Sequence, residues 1–90
     1  YDNSSYEFEV YLSDGTHIEL NRRGEWRNVE NRLTGVPLSV VPNKILTYVE
    51  TNYPDQMIVG IERDREIDVE LKSGMELIFN LNEDFVRFDY

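Results

Sequence analysis

One histidine, eighteen carboxylate side chains and no cysteine bound the chemistry this chain can perform. His17 and Glu19 stand two apart, as neighbours on one face of a strand do, so a histidine-based metal site would need completion by carboxylates such as Glu19 and Glu76. Histidines beside a turn are far more often simply exposed, and the chain is read as holding no metal and no cofactor. Ser13 near His17 would be the nucleophile of a triad. It is a turn residue, without the strained elbow and oxyanion loop such catalysis requires. Paired carboxylates act as acid and base only where a cleft separates their pKa values, and a flat sheet face offers none. The expectation is no enzyme and no catalytic residue. The run Glu62-Arg63-Asp64-Arg65-Glu66-Ile67-Asp68 has carboxylates at calcium-like spacing, but its arginines oppose a dication and the glycine of a twelve-position loop is missing. It reads as a charged hairpin turn. Asn3-Ser4-Ser5 matches a glycosylation acceptor, a triplet common by chance.

Composition narrows the partners. The 90 residues carry 18 acidic against 9 basic side chains, a formal charge of −9 with no basic stripe, which argues against nucleic acid. The 40% hydrophobic and 12% aromatic content is too high for a disordered acidic tail and fits one compact domain over 1–90. No apolar stretch approaches the ~20 residues of a membrane helix, so membrane insertion is not expected. Lack of cysteine removes disulfide and thiolate chemistry but leaves the compartment open. The chain begins at Tyr1 rather than methionine, and a processed form that has lost a leader is expected.

The elements that must position these residues follow from periodicity. A shift of 59 places Val10, Leu12, Gly15 and Asn21 on Val69, Leu71, Gly74 and Asn80, and sets Ile18 on Leu77, Leu20 on Phe79 and Trp26 on Phe85. The repeated strand segments are 8–30 and 67–89. Tyr6, Phe8, Val10 and Leu12 alternate with Glu7, Glu9 and Tyr11, while Ile18 and Leu20 alternate with His17 and Glu19. A two-residue Asp14-Gly15 turn would put the two apolar rows on opposite faces. A three-residue loop Ser13-Asp14-Gly15, with Gly15 left-handed, instead pairs Val10 with Ile18 and Phe8 with Leu20. Lys72-Ser73-Gly74 repeats the device. Third strands follow at Glu25 to Val29, with Trp26 opposite Leu20, and at Phe85 to Tyr90, where Phe85 competes with Val86, Phe88 and Tyr90 for the core. Met57 to Arg63 adds a seventh strand. One amphipathic helix is predicted over about 39–53, capped by Ser39, with Pro42 in its first turn and Pro54 ending it.

Tyr6 to Gly15, Gly24-Glu25-Trp26, Val41-Pro42, Ile45, Tyr48-Val49, Asn52-Tyr53-Pro54, Ile61 to Asp64 and Val69-Glu70-Leu71, in that order, resemble the PepSY-like, β-lactamase-inhibitor-like bacterial family. The resemblance implies a small exported protein, often periplasmic, built from a helix followed by an antiparallel meander, used singly or in tandem. An inhibitory or protein-binding role is inferred for that family. Here the second unit is complete and the first lacks its helix, so either that helix was trimmed or one helix covers a seven-stranded sheet. The expected fold is α+β, a meander of about seven strands with one helix on the face of Phe8, Val10, Leu12, Ile18, Leu20, Val69, Leu71, Leu77 and Phe79. The opposite face would carry Tyr11, His17, Glu19, Asp68, Glu70, Glu76 and Ile78, with Glu7 and Glu9. A solvated polar row is the commoner use of such a face. Tyr11 and Ile78 are unusual in a purely solvated row, which makes it the candidate docking surface for an unknown protein partner. Inhibition of a secreted hydrolase or peptidase is the finer reading, with monomer or homodimer both open. The alternatives are a structural or self-association module, and a small-ligand or cation binder on the acidic face.

Overall fold

The computed structural model describes residues 8–90. Tyr6 and Glu7, expected to open the first strand, and the Asn3-Ser4-Ser5 triplet lie outside the described residues. Seven strands form one antiparallel sheet in sequence order: β1 (Phe8–Tyr11), β2 (His17–Leu20), β3 (Trp26–Glu30), β4 (Ile58–Arg63), β5 (Ile67–Leu71), β6 (Glu76–Phe79) and β7 (Phe85–Asp89). One helix, α1 (Asn43–Asn52), lies between β3 and β4 in the chain and buries Ile45 and Val49. The fold is therefore α+β, as expected.

Alternation sets the faces. Val10, Ile18, Val29, Ile61, Val69, Leu77 and Phe88 are paired in one row across the whole sheet. On this side Val29, Ile61, Val69, Leu71, Leu77 and Phe79 join Val41, Ile45 and Val49 in a buried cluster. Both hairpin turns have the three-residue form: Leu12 N donates to Thr16 O at 2.8 Å and Leu71 N to Met75 O at 2.8 Å, with Gly15 and Gly74 at φ 97° and 98°. The following turns match as well. The Asn21 side-chain oxygen accepts from Arg23 N and Glu25 N, and that of Asn80 from Asn82 N and Asp84 N. The third residue after each asparagine is left-handed: Gly24 at φ 84° and Glu83 at φ 70°. A side chain with a Cβ is strained there, so Glu83→Gly is expected to stabilise the fold by about 0.5–1 kcal/mol, read as a higher urea midpoint at unchanged slope.

A bulge settles the competition in β7. Phe79 pairs with Phe85 and Ile78 with Arg87, so Val86 is an extra residue and both Phe85 and Phe88 reach the helix side. The same bulge at Arg27 lets Trp26 oppose Leu20 while Val29 opposes Ile18. Trp26 is capped by the Arg63 guanidinium, 4.2 Å from its ring centre, whose Nη2 donates to Trp26 O at 3.0 Å.

Two expectations need correction. The helix begins at Asn43, not near Ser39, which lies in a 3-10 turn, Leu38–Val40, and caps nothing. Val41 precedes Pro42, and a residue in that position is driven to extended backbone, here φ −89° and ψ 122°, which breaks any helix started earlier. The cover is also incomplete. Phe8, Val10 and Leu12 remain 53%, 38% and 43% exposed, since a ten-residue helix is about 15 Å long while seven strands span about 29 Å.

Buried Asn31 locks β3 and the following loop to the first hairpin: its side-chain nitrogen donates to Thr16 Oγ1 at 3.1 Å and Asp14 O at 3.3 Å, while its oxygen accepts from Leu33 N and Thr34 N. Val36 N and Asn31 N then donate to Ile58 O and Val59 O, carrying the loop onto β4.

Candidate functional site: the open sheet face

The register that lines up the apolar row also lines up the other face. One row runs Glu9, Glu19, Asn28, Glu62, Asp68, Ile78, Arg87, and the next Tyr11, His17, Glu30, Gly60, Glu70, Glu76, Asp89. Each strand contributes through its polar phase, so the charge of the chain gathers here.

The centre of the face is not flat. In β4, Ile58 pairs with Leu71 and Gly60 with Glu70, leaving Val59 as a bulge residue. Gly60 then lies in the middle of the second row with no side chain, where a Cβ would sit 3.6 Å from Glu70 Cβ and Oε1. The gap opens a hollow of about 120 Å³ lined by Asn28, Glu30, Glu62, Asp68, Glu70 and Glu76. The expected flat face is thus corrected: a bulge and a glycine in a central strand produce a small acidic depression.

The carboxylates around it are unequally compensated. Arg32 donates from Nη2 to both oxygens of Glu70 at 2.9 Å and lies 3.3 Å from Glu30. Among the described residues, no ion pair reaches Glu62, Asp68 or Glu76. Burial pushes the Asp68 carboxyl up to about 7, assisted by the Glu76 charge, a shared hydrogen bond with Glu76, and the charges of Glu62 and Glu70. Burial raises Glu62 too, with Asp64, Glu19 and Glu76 adding to it. Glu62 faces Asp68 directly across a strand pair, as Glu70 faces Glu76, and like charges in that relation are destabilising. The hollow holds negative charge that its surroundings neutralise only in part: Arg32 pairs with Glu70 and Glu30, and the Arg87 guanidinium, held by Glu66, acts on Asp68 without an ion pair.

Six of the seven residues expected on this face divide into two groups, and Ile78 stands apart. Asp68, Glu70 and Glu76 meet around Gly60, whereas Tyr11, His17 and Glu19 lie on the outer hairpin. Tyr11 is 73% exposed and stacks on the His17 ring, centroids 4.4 Å apart and planes within 7°. Ile78 belongs to the face by register but is only 4% exposed, flanked by Asp68 and by Arg87, whose guanidinium is held by Glu66 at 3.1 Å. It is not available as a contact residue. Glu30, Glu62, Asn28 and Gly60 were missed, and a lone glycine inside a strand pattern was the signal that could have found them.

An open antiparallel sheet, covered by one helix on its apolar side and hollowed and acidic on the other, defines a small α+β module that presents a face rather than a deep cleft. The chain belongs to the family described as "Putative beta-lactamase-inhibitor-like, PepSY-like", whose profile matches residues 6–87. Its backbone superimposes on that of a Bacteroides thetaiotaomicron protein called a "putative calcium-regulated periplasmic protein", with TM-score 0.85 and 36% identity over 91% of this chain and 65% of that one. Two Bacteroides vulgatus proteins, each described as periplasmic and one as of unknown function, give TM-score 0.83 at 35% and 31% identity. They too match over 91% of this chain and 65% or 66% of their own length, so the chain spans slightly less than two thirds of these relatives. No protein of curated function matches it.

Proposed function

We propose that this chain is an exported, periplasmic binding module that performs no catalysis and recognises a partner through its open sheet face. The hollow over Gly60 receives a cationic group, foremost a lysine or arginine of a protein partner. The observation that carries this is the trio Glu62, Asp68 and Glu76, gathered without an ion pair among the described residues. A basic side chain placed there would form charge-assisted hydrogen bonds and return Asp68 to its ionised form. At about 120 Å³ the hollow is well below the ~300–1,000 Å³ of small-molecule sites, which supports a protruding side chain over an enclosed substrate. The periplasmic relatives support export, and the family's inhibitor-like description supports a secreted hydrolase or peptidase as the partner.

Calcium is a second occupant of the same hollow, favoured by the description of one relative as calcium-regulated and by the oxygen-only donor set of Glu62, Asp68, Glu76 and Asn28. One experiment addresses both readings. The chain and its Asp68→Asn/Glu76→Gln double variant are immobilised and used to capture proteins from a periplasmic extract, with and without millimolar calcium chloride. Recovery of a partner by the parent chain and its loss from the double variant is expected. Equal recovery by both would sink the proposal, and recovery that depends on added calcium would select the second reading.

A further inference from the structure

The outer hairpin carries a separate arrangement. Glu9 in β1 sits directly across from Glu19 in β2, and His17 lies two residues before Glu19 on the same face. One ligand atom from each of the three lies within 4.8 Å of the others. His17 Nε2 is 2.9 Å from Glu9 Oε1, and Tyr11 both stacks on the imidazole and donates from its hydroxyl to Glu9 Oε1 at 3.5 Å. We propose that Glu9, His17 and Glu19 form a surface site for a divalent transition metal of the zinc class.

Three features argue for it together. The donor set is mixed, one imidazole nitrogen and two carboxylates, which suits zinc and its neighbours rather than calcium or magnesium, whose ligands are oxygens. Tyr11 fixes the ring plane, so the imidazole is already oriented with Nε2 toward the carboxylates. Glu9 and Glu19 are like charges placed directly opposite, an arrangement that disfavours the hairpin unless something positive lies between them. Zinc bonds of ~2.0–2.2 Å at tetrahedral angles place ligand atoms about 3.4 Å apart, so the His17–Glu9 pair at 2.9 Å must open slightly and the wider pairs, within 4.8 Å, must close, which rotamer changes of these side chains can supply. Three protein ligands leave a coordination position to water or to a donor on another molecule. The hollow over Gly60 shares none of these residues, so this site stands or falls independently of it.

The test uses zinc chloride as the probe and calcium chloride as the control. Calorimetric titration of the intact chain is expected to show one zinc per chain at a site that depends on His17, while calcium, a candidate only for the hollow over Gly60, is expected to leave the His17 ring signals unshifted. His17→Gln should weaken zinc binding more than about tenfold. His17 is the single histidine, so its ring signals in a proton–nitrogen correlation spectrum need no assignment by mutation, and they are expected to shift with saturating zinc. Absence of stoichiometric binding, unshifted His17 ring signals at saturation, or unchanged zinc affinity in a folded His17→Gln variant would each overturn the site.

Discussion

Asp68→Asn is expected to make the protein more stable at pH 8 and to leave it nearly unchanged at pH 4. The folded-state carboxyl is raised to about 7 from an ordinary value of 3.8, so between those two values the folded chain holds a proton that the unfolded chain has released. Stability contributed by this group is therefore complete below the unfolded value and falls as pH rises toward 7, where the charge must be accommodated beside Glu62, Glu70 and Glu76. The whole shift would correspond to about 4 kcal/mol, and solvent screening on a half-open face reduces it to about 1–2 kcal/mol. An amide keeps the shape and removes the charge. Urea unfolding of parent and variant at pH 4, 6 and 8 reads the effect of removing this charge, including the relief it gives Glu76, Glu62 and Glu70, while carboxylates that do not interact with Asp68 contribute equally to both. A variant less stable at pH 8, or a difference independent of pH, would show that Asp68 is not held at a cost. A carboxylate whose removal stabilises the fold is what the proposed binding role of Asp68 requires.

The largest loss is expected from Phe79→Ala. Phe79 is fully buried in β6, with Tyr48 of the helix at 5.5 Å and 88° and Phe85 at 5.8 Å and 75°, while Tyr48 and Phe85 stack on each other at 4.8 Å. Truncation removes the apolar transfer, opens a cavity and breaks both edge contacts, about 3–5 kcal/mol in all. A domain of this size has only about 5–13 kcal/mol in total, so the variant sits close to unfolding at ordinary temperature. Phe8→Ala, in a ring that is 53% exposed on the same side of the sheet, should lose less than about 1 kcal/mol. Comparable urea midpoints for the two variants would contradict the uneven helix cover.

Much of the fold was legible because the backbone devices have residue signatures. Period-two alternation located the strands, and the demand that two apolar rows share a face selected the three-residue loops ending in Gly15 and Gly74. Bulges carry no such signature. Arg27 and Val86 look like ordinary strand residues, and only the competing claims of Phe85 and Phe88 hinted that one register could not serve both. The helix start was misplaced because Ser39 satisfies a capping pattern that the Val41-Pro42 step then overrides. At the candidate site, alternation placed the acidic residues on the correct face but could not show which of them converge. That depends on Gly60 and the bulge at Val59, a matter of missing volume rather than of residue type. Ile78 failed for the opposite reason: its exposure depends on long neighbouring side chains that alternation does not represent.

The uneven cover has a mechanical consequence. Matched turns and bulges give β1–β3 and β5–β7 the same hydrogen-bond plan, but β5–β7 place Ile67, Val69, Leu71, Leu77 and Phe79 in the buried cluster where β1–β3 place Val29 alone. Strands with few buried apolar contacts belong to the low-energy end of local opening, so the outer hairpin can breathe while the centre of the sheet stays closed. Glu9, His17 and Glu19 therefore stand on compliant ground and the hollow over Gly60 on stiff ground, within a single face. A partner spanning both would be gripped at one point and followed at the other.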